Sequence, residues 1–206
     1  MKLYTSIGPN PRLVRLFLAE KQVELPQVQV DILAGENRRP PYLGLNPAGS
    51  TPLLVLETGQ ALAETTAICE YIEELQPTPP LIGTTAEARA LTRMWTRRVD
   101  LFVVQPMTSG FRGAEGLGLF QDRVHCLPQA ADDLKATARE GLAWLDAQMA
   151  DGRPFIAGQA LTLADLMLYS FVEFGALVGQ GLDPALQRLG AWHQRMAERP
   201  SAKATA

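Results

Sequence analysis

Three short segments hold the residue types that could do chemistry. Near the N-terminus, Ser6 ends a strand-like run, and Asn10 stands at the predicted N-cap of a helix with Pro11 at its first position. A capping asparagine spends its carbonyl oxygen on the helix and keeps its NH₂ group to donate elsewhere. The second segment is Asn46-Pro47-Ala48-Gly49-Ser50-Thr51-Pro52-Leu53-Leu54. Pro52 opens a strand there, which a residue without an N–H does only at an edge or at the first position. The third is Leu62-Ala63-Glu64-Thr65-Thr66-Ala67-Ile68, where Glu64 and Thr65 begin a helix. The first N–H groups of a helix lack partners and its dipole is positive at that end. Glu64-Thr65 therefore reads either as a plain capping pair or as a site for an anionic group, and the two are compatible.

Other reactive residue types carry less. Thr162 and Asp165 have the spacing of a capping box, with Leu161 and Leu166 at the positions of a hydrophobic staple, so Leu161-Thr162-Leu163-Ala164-Asp165 is a folding device. His125 and His193 are isolated from any second ligand at metal-binding spacing, and no metal is expected. Cys69 reads as a small buried hydrophobe. With Cys126 it makes neither a CxxC pair nor a disulfide framework, which suits a reducing, cytoplasmic setting.

The elements that must position these residues divide the chain in two. Residues 2–6 form a strand and 11–21 a helix with Leu13, Leu16, Phe17 and Leu18 inward. Residues 27–33 alternate as a strand, and 36–43, interrupted by Pro40 and Pro41, form a loop with a short helical turn. Residues 53–56 and 61–63 make a hairpin through Glu57-Thr58-Gly59-Gln60, and 65–75 a helix. The first strand, helix and second strand imply a parallel crossover. Gln76-Pro77-Thr78-Pro79-Pro80 is a stiff boundary. Amphipathic helices follow at 86–104, 128–149, 163–174 and 184–199, the third apolar nearly all round and so the buried centre of its half. The expected division is 1–78, a linker at 79–88, and an all-helical domain over 89–206.

Composition excludes several classes. The chain has 206 residues, of which 47% are hydrophobic and 20% charged, which rules out a disordered or fibrous protein. With 19 basic against 22 acidic side chains and a net charge of −3, it lacks the excess of cations that nucleic-acid binding requires. No apolar run is long enough to span a bilayer.

The order β-α-β-β-β-α followed by an all-helical domain, with the segments at 46–54, 62–68 and 161–165, resembles the cytosolic glutathione transferases. Those segments are similar to the family's N-P-x-G-x-V/T-P-x-L, L-x-E-S-x-A-I and T-x-A-D. The resemblance implies a thioredoxin-like first domain and glutathione as co-substrate, with no metal. It also implies a cis Thr51–Pro52 bond, leaving the Thr51 backbone to pair with the cysteinyl backbone of glutathione. Glu64 would pair with the γ-glutamyl ammonium and Thr65 would bind its carboxylate. The register of Pro9-Asn10 ahead of Leu16-Phe17-Leu18 is similar to the bacterial nu class, where an Asn assisted by a preceding Thr donates to the glutathione sulfur. This chain has Gly8 in the place of that Thr, which leaves Asn10, or Ser6 as runner-up, to activate the thiol. Asn37 and Ser50 match further residues of that class's glutathione site, and Arg39, beside Arg38, is a candidate for the glycyl carboxylate. Phe102, Phe111 and Arg112 are candidates for the second-substrate pocket by their place between the first two bundle helices. A two-fold homodimer is implied, with the first domain of one subunit against helix 86–104 of the other. Three functions remain open: conjugation of glutathione to a small electrophile, glutathione-dependent disulfide or peroxide reduction of nu-class type, and a non-catalytic binding module.

Overall fold

The computed structural model describes residues 1–206 and divides them into two compact units, Met1–Leu81 with Pro200–Ala206, and Ile82–Arg199. The first unit contains β1 (Lys2–Thr5), α1 (Pro9–Lys21), β2 (Gln27–Gln29), α2 (Tyr42–Leu45), β3 (Leu53–Val55), β4 (Ala61–Leu62) and α3 (Thr65–Leu75). The second contains α4 (Ala86–Val99), a π-helical stretch at Asp100–Val104, α5 (Gln105–Gly113), α6 (Leu117–Phe120), α7 (Ala131–Gln148), α8 (Leu163–Leu177) and α9 (Gln187–Ala197). The short α10 (Pro200–Ala204) returns to the first unit.

The sheet of the first unit runs β2-β1-β3-β4. β1 and β2 are parallel, with Leu3 opposite Gln27, and β3 is antiparallel to both β1 and β4. The parallel pair follows from the intervening helix, since neighbouring parallel strands need a crossover. Leu13, Leu16 and Phe17 of α1 and Ile68 and Ile72 of α3 are fully or almost fully buried with Leu3, Leu53 and Leu54. β2 stops at Gln29, short of the strand expected over 27–33. Val30 N–H still reaches the Thr5 carbonyl at 2.8 Å, but Asp31 then turns, its carboxylate accepting from Ala34 N–H while its own N–H is held by Glu36. Turn bonding of this kind competes directly with the ladder.

Two boundaries differ from expectation. Residues 200–206 belong to the first unit because α10 packs on α1, where the Ser201 hydroxyl donates to Glu20. The segment after α3 is fastened within the first unit. Lys21 on α1 ion-pairs with Glu73 on α3, and its Nζ also donates to the carbonyls of Gln76 at 2.8 Å and Pro79 at 2.5 Å. Glu73 in turn accepts from Leu81 N–H at 3.1 Å. Both side chains are buried, so this ammonium and carboxylate satisfy each other and the backbone of the turn.

The second unit has α8 at its centre, with Leu163–Val172 buried on every face. The capping box at its start is present. Asp165, fully buried, accepts from Thr162 N–H and hydroxyl, from Ile156 N–H at 2.7 Å and from Trp192 Nε1 at 3.0 Å. The helix expected over 86–104 is α4 followed by the π-helical stretch. At that stretch α7 approaches so closely that a Cβ on Gly141 would lie 2.1 Å from the Phe102 carbonyl oxygen.

Candidate active site

The N-terminal end of α1 is built differently from its expected form. Gly8, not Asn10, is the N-cap, at φ 106° and ψ 172°, a region that side-chain-bearing residues hardly enter. The chain thus enters the helix two residues early, with Pro9 at the first position and Asn10 at the second, and no side chain caps the turn. Pro9 and Pro11 have no N–H, and Arg12 N–H is already bonded to the Gly8 carbonyl at 3.2 Å. Asn10 therefore supplies the one backbone N–H of this first turn that the helix leaves open, and its half-buried side-chain amide is not spent on capping. The departure at position 8 has a physical reason. Space around Gly8 is open, but its backbone conformation excludes a threonine without strain.

Ser6 sits where β1 ends, 2% exposed, with its hydroxyl 2.6 Å from that of Thr51 and 3.1 Å from the Ile7 carbonyl. Arg15, one turn into α1, donates through Nη1 to the Thr5 hydroxyl and to the Ser6 carbonyl, both at 3.1 Å. Burial, and Arg12 nearby, pull the Arg15 guanidinium below its ordinary pKa.

The loop before β3 is held residue by residue. Asn37 is buried and donates its amide to the Gly49 carbonyl at 2.6 Å, so this group points into the loop and away from solvent. The Ser50 carbonyl accepts from the Tyr42 hydroxyl at 2.5 Å and from Asn46 Nδ2 at 2.8 Å, while the Ser50 side chain is exposed. Burial pushes the Tyr42 phenol above its ordinary range. Gly49 has φ 62°, and a Cβ there would meet the Asn37 carbonyl at 2.9 Å. Thr51 precedes a cis peptide to Pro52 and lies outside the ladder, whose last β1–β3 pair is Tyr4 with Leu53. Arg38 and Arg39 turn back on their own surroundings, donating to the Ala48 and Ala34 carbonyls respectively.

At α3, Glu64 is the N-cap with φ 70° and ψ 123°, one of two non-glycine residues with positive φ in the chain. No side chain caps this helix and no acidic residue lies in its first turn. Ile68 N–H bonds to the Glu64 carbonyl at 3.0 Å, which leaves Thr65, Thr66 and Ala67 with N–H groups directed out of the helix end. Side-chain capping varies along the chain, since α4 is capped by the Thr85 hydroxyl and α8 by its capping box while α7 and α9 start without one. At this helix end an exposed Glu64, held in a costly backbone conformation, stands beside open donors.

The residues expected to line a second-substrate pocket fall in two aromatic groups of the helical unit. Phe102 packs edge-on against Trp144 at 5.2 Å, beside Trp95, and is 40% exposed. Phe111 lies edge-on to Phe174 at 5.0 Å and to Phe120 at 6.0 Å, and the Arg112 guanidinium stacks over Phe120 at 5.2 Å. Phe111 and Arg112 thus share one half-buried aromatic cluster. Cys69 is fully buried, its thiol pushed far up by burial, and takes no part in the site. His193 pairs with Glu173 at 2.7 Å within the helical unit. Sequence reasoning missed Arg15, Tyr42 and Asn46 as holders of the site. Asn46 lay inside a segment already singled out, but nothing local marked the other two.

Comparison with known proteins agrees with this fold. The glutathione S-transferase N-terminal domain model matches residues 7–75, and the C-terminal domain model matches residues 128–195. Glutathione S-transferase 2 of Saccharomyces cerevisiae is 34% identical, over 97% of this chain and 86% of the relative. The crystal structure of Gtt2 from Saccharomyces cerevisiae superposes with a TM-score of 0.92 and 31% identity, covering 100% of both chains. A glutathione transferase homologue from Sulfitobacter, solved with bound glutathione, superposes with a TM-score of 0.78 and 25% identity, covering 98% of this chain and 95% of that one. The chain belongs to the glutathione S-transferase family, enzymes that take glutathione as a substrate.

Proposed function

We propose that this enzyme ionises the glutathione thiol at the N-terminal end of α1, with Asn10 as the donor, and directs the thiolate at a small electrophile. The observation that carries the reading is the open first turn of α1, where Asn10 alone offers both a backbone N–H and an uncommitted side-chain amide. A free cysteine thiol has a pKa near 8.5, and only its thiolate is an effective nucleophile. A helix N-terminus stabilises a nearby anion by about 0.3–1 kcal/mol, and a donor to the charged sulfur adds a stronger, charge-assisted bond. The thiol proton leaves to solvent, and a sulfur lone pair then forms the bond to the electrophilic atom. A leaving group departs to solvent with its bonding pair or, at an activated double bond, the π pair shifts to an acceptor atom that takes a proton from solvent. The rest of the tripeptide is read by the first unit. The Thr51 backbone pairs with the cysteinyl backbone, the open donors at Thr65 take the γ-glutamyl carboxylate, and Glu64 takes its ammonium.

We further propose a homodimer built on the helical unit. Leu91, Met94, Leu101 and Phe102 are exposed apolar side chains along α4 and the π-helical stretch, and they suit burial against the first domain of a second copy.

The test of the thiol assignment is Asn10→Ala. Because Asn10 is at the second helical position and caps nothing, its truncation costs the fold little, and lost turnover reports on chemistry. The expected outcome is a raised pKa of bound glutathione and a larger loss of turnover than Ser6→Ala causes. Asn10→Asp keeps the size but sets a carboxylate against the thiolate, and it should be as poor as Asn10→Ala. Parental activity in Asn10→Asp, together with a raised thiol pKa in Ser6→Ala, refutes the amide donor.

A further inference from the structure

We infer that Ser6 is a positioning residue for the peptide backbone of glutathione. Its hydroxyl couples to that of Thr51 and so fixes the residue whose backbone the tripeptide pairs with. The inference rests on the reading of Thr51 as the partner of the cysteinyl backbone.

The hydroxyl protons can be counted. Ser6 has one, and it has two neighbours to satisfy, the Ile7 carbonyl at 3.1 Å and the Thr51 hydroxyl at 2.6 Å. If Ser6 donates to Ile7, then Thr51 donates to Ser6; if Ser6 donates to Thr51, the Ile7 carbonyl loses this donor. In either arrangement the Ser6 proton is spent inside the protein, and at 2% exposure the group has almost no surface to offer a ligand. The main chain around it is pinned as well, by the Arg15 bonds to the Thr5 hydroxyl and the Ser6 carbonyl.

The other side of Thr51 completes the pattern. Gly49 is held by Asn37, Ser50 by Tyr42 and Asn46, and Thr51 by Ser6. Three successive residues ahead of Pro52 are each fastened to a different part of the first unit. The bond from Ser6 spans 45 positions in sequence and joins the end of β1 to the entry of β3. A loop locked in this way has little freedom left to lose when an extended peptide binds, and preorganisation of this kind raises affinity. Ser6 therefore acts on binding through Thr51, without touching the sulfur.

The experiment measures glutathione affinity by calorimetry and the bound-thiol pKa by thiolate absorbance in Ser6→Ala, Thr51→Val, their combination, and Thr51→Ser. Thermal melts confirm that each variant is folded. Ser6→Ala and Thr51→Val are each expected to weaken glutathione binding about fivefold to tenfold, the scale of one lost hydrogen bond, with the bound-thiol pKa held at the parental value. The combination should be no worse than the poorer single variant, because the pair acts as one unit, and Thr51→Ser should bind as the parent does. A raised thiol pKa in Ser6→Ala at parental affinity would make Ser6 the sulfur donor and overturn the inference. Multiplying losses in the combination, or parental affinity in both single variants, also overturns it. Failure of the parent chain to bind glutathione is a separate result, which refutes the function and the positioning role together.

Discussion

Replacing Lys21 with Met should be among the most damaging single changes in the first unit, although Lys21 lies away from the proposed chemistry. The Lys21 ammonium meets the Glu73 carboxylate and two carbonyls, those of Gln76 and Pro79, and its side chain is fully buried against a Glu73 that is only 5% exposed. Met conserves much of the length and packing of the stem, so the loss isolates the charge and its bonds. It leaves the Glu73 carboxylate buried without its ammonium counter-charge while Leu81 N–H still donates to it, and it strips two carbonyls of a donor. Breaking a buried pair from one side costs about 3–5 kcal/mol, because the stranded charge keeps its desolvation penalty. A total stability of about 5–15 kcal/mol makes that a large share. Urea denaturation followed by circular dichroism is the suitable assay, since Trp95, Trp144 and Trp192 all lie in the helical unit and tryptophan emission does not report the first. Lys21→Met/Glu73→Leu removes both charges and should recover part of the loss, limited by the Leu81 N–H left without its acceptor. A single-variant loss below about 1 kcal/mol, or a double variant that is additive in its damage, would show that the pair does not fasten the turn after α3.

Glu64→Ala and Thr65→Ala should each weaken glutathione binding by about 1.5–3 kcal/mol, the scale of a bond to a charged group, and calorimetry that finds parental affinity in both removes the site from the end of α3. Gly8→Ala should destabilise the protein by about 1–3 kcal/mol through backbone strain alone, because no atom lies within 4 Å of the added methyl group; an unchanged melting temperature would refute this account of the α1 entry. Light scattering should give about twice the 22.5 kDa chain mass, and Phe102→Glu should shift the species toward one chain; a single 22.5 kDa species for the parent across micromolar dilution rules out the dimer.

Where a signal is local, the sequence alone carried the structure. Helix α3 spans Thr65–Leu75 as its apolar spacing required, and Ile68 and Ile72 are buried as the period demands. Thr162 and Asp165 form their capping box because both partners lie within one turn. The hairpin of β3 and β4 and the parallel pairing of β1 with β2 were likewise legible from turn residues and connection length. Tertiary structure decided what joins distant positions. Asn10 looked like a cap because asparagine before proline favours one, yet the backbone angle available only to Gly8 moved the helix start and freed the Asn10 side chain. Ser6 read as a donor at a strand end, and only the folded chain sets its hydroxyl against Thr51. The proline-rich stretch after α3 read as a linker because its composition is stiff and polar; a lysine and a glutamate on two different helices bind it to the first unit. Residues 200–206 looked like the end of the helical domain, but α10 packs on α1, where Ser201 donates to Glu20. Propensity and period act over a few residues. The partner of a buried polar group is set by which elements the fold brings together, and no short window of sequence contains that information.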